Sequence, residues 1–275
     1  MKLNQIGICS WTLGINDLDE LMKKVKSLGL NSIQYCEPME RHNPEDVKQA
    51  AEKYGLDILV YDPFGYGPGG IYGDGNIESA ITMYKDVVDY AHALGCGATL
   101  QGLSVWTKGC DSDKEAWDQL VRSVQVISDY ALSKGVDLSY EPCNLYEVPF
   151  IHTADEYQKL VDETGCSEIA VLLDSFHMNI GERNPMKTLH EYSKRNSIFH
   201  ISGANREGIA QGNLDFFAYH KGLEDGGFEG PFVFEFVLKG NPVNTPPRND
   251  AEMEELSQQI TQSLNIWKSY FTQQQ

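Results

Sequence analysis

The sequence predicts an α/β chain folded as a single (β/α)8 barrel, on three observations. Short runs rich in Ile, Val, Leu and aromatic residues alternate with longer amphipathic stretches; there are eight such runs; and 275 residues carry them without a linker or low-complexity break. Eight strand–helix units in about 250 residues match the size and rhythm of such a barrel. A doubly wound sheet is the competing architecture, but it usually carries fewer units and a phosphate-binding turn after its first strand. No such turn follows the first run here, so residues 1–275 are read as one domain.

Taken in order, the candidate strands are IGICSW (6–11), SIQYCE (32–37), LDILVYD (56–62), ATLQGL (98–103), VDLSYE (136–141), IAVLLD (169–174), SIFHIS (197–202) and PFVFEF (231–236). Each is a short apolar run of the kind that forms a strand covered by helices on its outer face. Helix starts are marked between them: Asp17 with Glu20, Asn43 before Pro44, Ser112 with Glu115, and Thr153 with Glu156. These are capping residues followed by a carboxylate, or a proline whose missing N–H is not needed in the first turn. GYGPGG (65–70) fits the dinucleotide-binding glycine pattern letter for letter. That pattern requires a helix to open at once, whereas Pro68 and IYGDG delay one until about Asn76, so the segment reads as a loop over the barrel mouth.

Composition bounds the function. The formal net charge is −18 with no basic run, which disfavours nucleic acid and anionic membranes. The six cysteines form no CxxC pair, and no run approaches the length of a membrane span, so a cytoplasmic protein with reduced thiols is expected.

The chemistry gathers at the strand ends. FVFEF sets Glu235 among four apolar side chains, and an unpaired charge in a dry interior costs several kcal/mol. Glu37, Asp62, Glu141, Asp174 and His200 close other strands in the same way. In a barrel these ends converge on one mouth, where crowded carboxylates repel one another unless a cation shares them. Carboxylates with one imidazole suit Mn²⁺, Mg²⁺ or Co²⁺, with Zn²⁺ also possible. Spacing does not say which of the six are ligands, and Glu37 or Asp62 taken singly reads better as a solvated rim charge.

The runs YEPCNLYE (140–147), LLDSFHMNI (172–180), FHISGANR (199–206) and FVFEF, in this order and spacing, resemble the D-tagatose 3-epimerase and D-psicose 3-epimerase family of xylose-isomerase-like TIM barrels. The resemblance implies Glu141, Asp174, His200 and Glu235 as ligands of one divalent metal, Mn²⁺ foremost, and Glu141 and Glu235 also as the acid/base pair. It assigns Glu147, His177 and Arg206 to the substrate, leaves Glu37 and Asp62 outside, and implies a homodimer or homotetramer. Pro142 and Cys143 replace the usual aliphatic pair after Glu141, Leu145 stands where a basic residue is common, and the Gly-rich loop 64–75 differs in character.

The implied reaction interconverts free ketoses, such as D-tagatose with D-sorbose or D-psicose with D-fructose. One carboxylate removes the C3 proton to give an enediolate and the other returns it on the opposite face. Each assignment has a structural rival: His177 as a packed histidine beside Phe176 and Met178, Arg206 as a solvated loop residue, and Trp106 as packing rather than a sugar-stacking platform, with Trp11 weaker still. His42, His92, His190 and His220 read as surface residues, and His152 as the neighbour of the Thr153 cap. An aldose–ketose isomerase working between C1 and C2 is the nearest alternative. A DNA-cleaving barrel needs more histidines and a basic face, and a sugar-binding module would not need the acid/base groups. With Arg206 the only evident cation just after the seventh strand and Lys239 just after the eighth, a free sugar is preferred over a phosphorylated one.

Overall fold

A computed structural model describes residues 5–63, 76–242 and 245–272; the Gly-rich loop 64–75 lies outside them, as do residues 243–244 and 273–275. Eight strands form one sheet: β1 (Ile6–Ile8), β2 (Ser32–Tyr35), β3 (Asp57–Tyr61), β4 (Gly97–Thr99), β5 (Leu138–Tyr140), β6 (Ala170–Asp174), β7 (Asn196–Ile201) and β8 (Phe232–Phe234). Neighbours run parallel in sequence order, and β1 returns to pair with β8 through Ile6–Phe232, Gly7–Val233 and Ile8–Phe234. The remaining seam, between β1 and β2, closes through a Cys9–Gln34 bridge and the Asn31 side-chain oxygen, which accepts the Ile6 N–H at 2.8 Å. Gly7 permits that closure, because a Cβ there would lie 2.7 Å from the Ser32 carbonyl oxygen.

The helices among the described residues are α1 (Leu18–Ser27), α2 (Pro44–Tyr54), α3 (Ile77–Leu94), α4 (Asp113–Lys134), α5 (Ala154–Thr164), α6 (Ser175–Gly181), α7 (Pro185–Tyr192), α8 (Phe216–Asp225) and α9 (Asp250–Thr272). The anticipated caps are made. Side-chain oxygens of Asp17, Ser112 and Thr153 accept the N–H of Glu20, Glu115 and Glu156 three residues on, and Asn43 accepts that of Glu45. Satisfying a first-turn N–H in this way is worth about 1 kcal/mol per helix. The apolar helix faces and the strands bury a main core that runs from Ile6 to Trp267, with a smaller cluster around Cys9, Leu172 and Val233.

All eight predicted strands are present, but seven end earlier than the apolar runs do. The ladder stops at Tyr140 and Tyr61, each followed by a single residue and then Pro142 or Pro63, and proline has no N–H to continue it. After β4 the chain turns through Gly102, in the left-handed region at φ 66°, into a short 3-10 helix at Leu103–Thr107. The shortening moves chemistry out of the ladder: Asp62, Glu141 and Glu235 each stand one residue past a strand, while Asp174 and His200 remain inside theirs.

Candidate metal centre and active site

Four strand ends on one side of the barrel deliver four side chains to one point. Ligand atoms of Glu141, Asp174, His200 and Glu235 all lie within 4.8 Å of one another, and all four side chains are buried. His200 Nδ1 stands 3.1 Å from Glu235 Oε2, 3.4 Å from Glu141 Oε1 and 3.8 Å from Asp174 Oδ2. Local structure divides the labour of Asp174, whose Oδ1 caps α6 by accepting the Phe176 N–H at 2.6 Å, leaving Oδ2 to face the cluster. Among the described residues neither oxygen of Glu141, nor Asp174 Oδ2, accepts a hydrogen bond. Buried carboxylate oxygens are nearly always paired, so three orphaned acceptors around one point fit a cation shared among oxygen and imidazole donors.

The electrostatics point the same way. Burial raises the pKa of Glu141, with His200 opposing the rise and the Glu235 charge adding to it. Burial also raises Asp174 well above the usual carboxylate range, Arg206 working against it and Glu235 for it. Burial acts on Glu235 too, but the Arg206 charge and the His200 hydrogen bond outweigh it and hold this carboxyl below its ordinary value. His200 is disfavoured as a cation by burial, yet Glu141 and Glu235 raise it well above 6.5. Without a divalent ion the cluster has to hold protons and borrow the Arg206 charge.

Around this centre sit the remaining predicted residues. Arg206 is buried, its NH2 2.9 Å from Glu235 Oε2 and its NH1 3.7 Å from Glu147 Oε1, with the guanidinium 4.8 Å over the Phe176 ring. Its backbone adopts φ 64°, a conformation that costs a non-glycine residue about 1–3 kcal/mol. Hydrogen bonds from Arg206 N to Gly203 O and from Val237 N to Arg206 O hold it there, at 2.8 Å each. The solvated-loop reading of Arg206 is therefore set aside.

His177 is likewise buried, with Asn144 against one ring nitrogen. The Asn144 backbone N–H and side-chain amide both reach Nδ1, at 3.2 and 2.9 Å. Nδ1 accepts from both, while Arg206 Nη1, which can only donate, stands 3.3 Å from Nε2, so donors face both ring nitrogens. That Nε2 stands 3.8 Å from Glu141 Oε1 and 4.0 Å from Asp174 Oδ2. Burial and the Arg206 charge keep the ring neutral, its pKa well below 6.5. Glu147, a quarter exposed at the edge of the site, accepts from the Asn144 amide at 2.8 Å.

Several expectations change. Glu37 and Asp62 are buried, not solvated. Glu37 accepts from Ser10 Oγ at 3.1 Å and pairs with Arg41, while Asp62 accepts from Thr99 Oγ1 at 2.8 Å and from Gln34 Nε2 at 2.9 Å. Burial and the Glu141 charge push Asp62 up to about 7, against the Thr99 hydrogen bond. Trp106 is buried in the main core. Trp11 instead touches the cluster, its indole N–H donating to Glu235 Oε1 at 3.1 Å. His92 and His190 are exposed and His42 is half-buried, but His220 is fully buried, because its face of α8 packs under α9. Gln34, Thr99 and Asn144 went unnoticed in the sequence. Gln34 had a signal, an amide inside the otherwise apolar SIQY, of the same kind as Glu235 in FVFEF.

The family described as xylose isomerase-like TIM barrel matches residues 22–259. An L-ribulose 3-epimerase of Methylomonas sp. is 28% identical over 157 residues, 56% of this chain and 54% of that relative. A D-psicose 3-epimerase of Enterocloster bolteae is 26% identical over 245 residues, 83% of this chain and 80% of the relative. Among solved structures, a D-psicose 3-epimerase from Clostridium cellulolyticum H10 crystallised with D-tagatose superposes with a TM-score of 0.80 at 22% identity, covering 97% of this chain and 99% of that one. No helix among the described residues is long and apolar enough to cross a membrane.

Proposed function

Because this chain belongs to the xylose isomerase-like TIM barrel family, we propose that it is a metal-dependent 3-epimerase of free ketoses. The observation that carries this reading is the convergence of Glu141, Asp174, His200 and Glu235 on one buried point with three carboxylate oxygens lacking donors. These four would hold the divalent cation, with Mn²⁺ preferred and Co²⁺ or Mg²⁺ as alternatives. Bound there, the ion supplies Lewis-acid polarisation of the ketose carbonyl, worth several kcal/mol of barrier. The 3-epimerases among the similar sequences support the sugar class.

The chain's own groups handle the proton. Glu141 and Glu235 come from strands on either side of β6 and β7, and we assign them to opposite faces of C3, one abstracting and the other donating. Arg206, 2.9 Å from Glu235, favours the ionised, proton-accepting state of that acid. His177, neutral, and Arg206, whose Nη1 stands 3.3 Å from the ring Nε2, together supply hydrogen bonds or charge to the oxygen on which charge develops. Glu147 sits at the edge of the site, where it can accept from sugar hydroxyls. Burial of these side chains strengthens each of these interactions.

Incubation with D-fructose or D-tagatose and Mn²⁺ in tritiated water tests the assignment. Tritium at C3, with the C3 epimer appearing on chromatography, is the expected result. Label confined to C1 identifies an aldose–ketose isomerase and overturns it.

A further inference from the structure

The ligands proposed above come from the ends of β5, β6, β7 and β8; the other half of the barrel contributes a hydrogen-bonded chain that reaches His200 from behind. Thr99 ends β4 and donates to Asp62 Oδ1 at 2.8 Å. Asp62, just past β3, takes the Gln34 amide on Oδ2 at 2.9 Å, and the Cys36 thiol lies 4.0 Å from that oxygen. Gln34, inside β2, brings Oε1 to 2.9 Å from His200 Nε2. All of these side chains are buried.

With Asp62 ionised, the order of donors and acceptors along this chain is fixed. An ionised carboxylate only accepts, so the Gln34 amide must turn its NH2 to Asp62 and its carbonyl oxygen to the histidine. A carbonyl oxygen also only accepts, so His200 must carry its hydrogen on Nε2. In the neutral, metal-binding ring the lone pair then lies on Nδ1, the nitrogen 3.1 to 3.8 Å from the three carboxylates. A reversed amide would set its NH2 against Nε2 and favour a hydrogen on the nitrogen that must ligate.

The geometry points to Gln34, held by Asp62, as a positioning residue that fixes the ring and tautomer of His200 for metal binding. Asp62 itself is kept from becoming a fifth ligand, because both of its oxygens are engaged. Partners of this kind change metal affinity by about 10- to 100-fold in other metal sites.

This inference rests on the metal-site reading, and its test needs no sugar. Mn²⁺ affinity is measured by calorimetry at pH 8 for the parent chain and for Gln34→Leu, Gln34→Glu and Asp62→Asn, with circular dichroism as the check on folding. Gln34→Leu removes the acceptor and is expected to weaken binding by about 10- to 100-fold. Gln34→Glu keeps an acceptor toward Nε2, shares one proton with Asp62 in place of the amide hydrogen, and is expected to stay within about threefold of the parent. Asp62→Asn frees the amide to turn and is expected to weaken binding by about tenfold. In ¹⁵N-histidine-labelled, Mg²⁺-loaded protein, an exchange-protected imidazole N–H at His200 is expected, and it disappears in Gln34→Leu. A folded Gln34→Leu that binds Mn²⁺ like the parent overturns the inference. Should that variant not fold, Asp62→Asn binding as tightly as Gln34→Glu overturns it instead. Failure of the parent chain to bind Mn²⁺ at all removes the metal-site reading beneath it.

Discussion

Two buried histidines show how differently one barrel can treat the same side chain. His200 lies at the mouth with both ring nitrogens engaged, Nδ1 by three carboxylates and Nε2 by Gln34. His220 lies in the outer layer, edge-on to Trp267, Tyr270 and Phe271, and among the described residues neither of its nitrogens has a hydrogen-bond partner. Surrounding charge raises the pKa of the first despite burial, and burial lowers that of the second. Burial alone therefore says nothing about function; the decisive question is whether polar groups from separate strands meet the ring. At the mouth they do, and the cluster makes sense with a cation. Under α9 they do not, and the histidine behaves as an aromatic filler whose nitrogens are a penalty.

The comparison is broken most severely at the mouth. Glu235→Gln keeps the shape but loses the carboxylate that we assign to proton transfer and to the cation. Its kcat for ketose epimerisation is expected to fall by at least about 10²–10⁴-fold, while His220→Phe is expected to leave kcat within about twofold. Steady-state assays of the two variants side by side check this. Removal of divalent ions with a chelator is expected to abolish turnover and lower the melting temperature. At 100 times the Kd, added Mn²⁺ returns about 2.7 kcal/mol of stability by mass action, read by calorimetry; His200→Phe is expected to lose that gain and His220→Phe to keep it.

Acid and base then separate the two regions in sign. A carboxyl raised to about 7, as at Asp62, binds its proton more tightly folded than unfolded. Its contribution to the stability of the metal-free protein therefore falls as pH rises from about 4 to about 7, and is fully present only below the unfolded value. Asp62→Asn is expected to flatten that part of the profile. His220, lowered by burial, binds its proton less tightly folded, so its contribution falls as pH drops through the unfolded histidine value of about 6.5. His220→Phe is expected to flatten that loss. Denaturant titrations from pH 4 to 8 on metal-free samples measure both slopes. The smallest effect is at neutral pH, where His220→Phe is expected to change stability by no more than about 1 kcal/mol, the gain from deleting two unpaired nitrogens offsetting the larger ring.

Much of this was legible in the residues. Eight apolar runs, Asp17, Asn43, Ser112 and Thr153 as caps, and a carboxylate inside FVFEF follow from local rules that hold wherever the chain goes: strands need apolar pairs of faces, helix starts need acceptors, and a buried charge needs a partner. The motifs around Glu141, Asp174, His200 and Arg206 named residues that the fold brings together. Glu37, Asp62 and His220 were misjudged because exposure is not a property of a residue type. It depends on which elements later cover the residue.

By itself, then, the order of amino acids determined the succession of strands and helices and the inventory of acids and imidazoles at the strand ends. Only tertiary structure decided that Asp62 faces Gln34 and Thr99 while Glu141 faces His200 and His177. It also decided that one histidine is wired to acids and another to rings. The physical reason is distance in the chain. Gln34 and His200 are 166 residues apart, and a hydrogen bond acting over less than about 3.2 Å exists only once the barrel has closed.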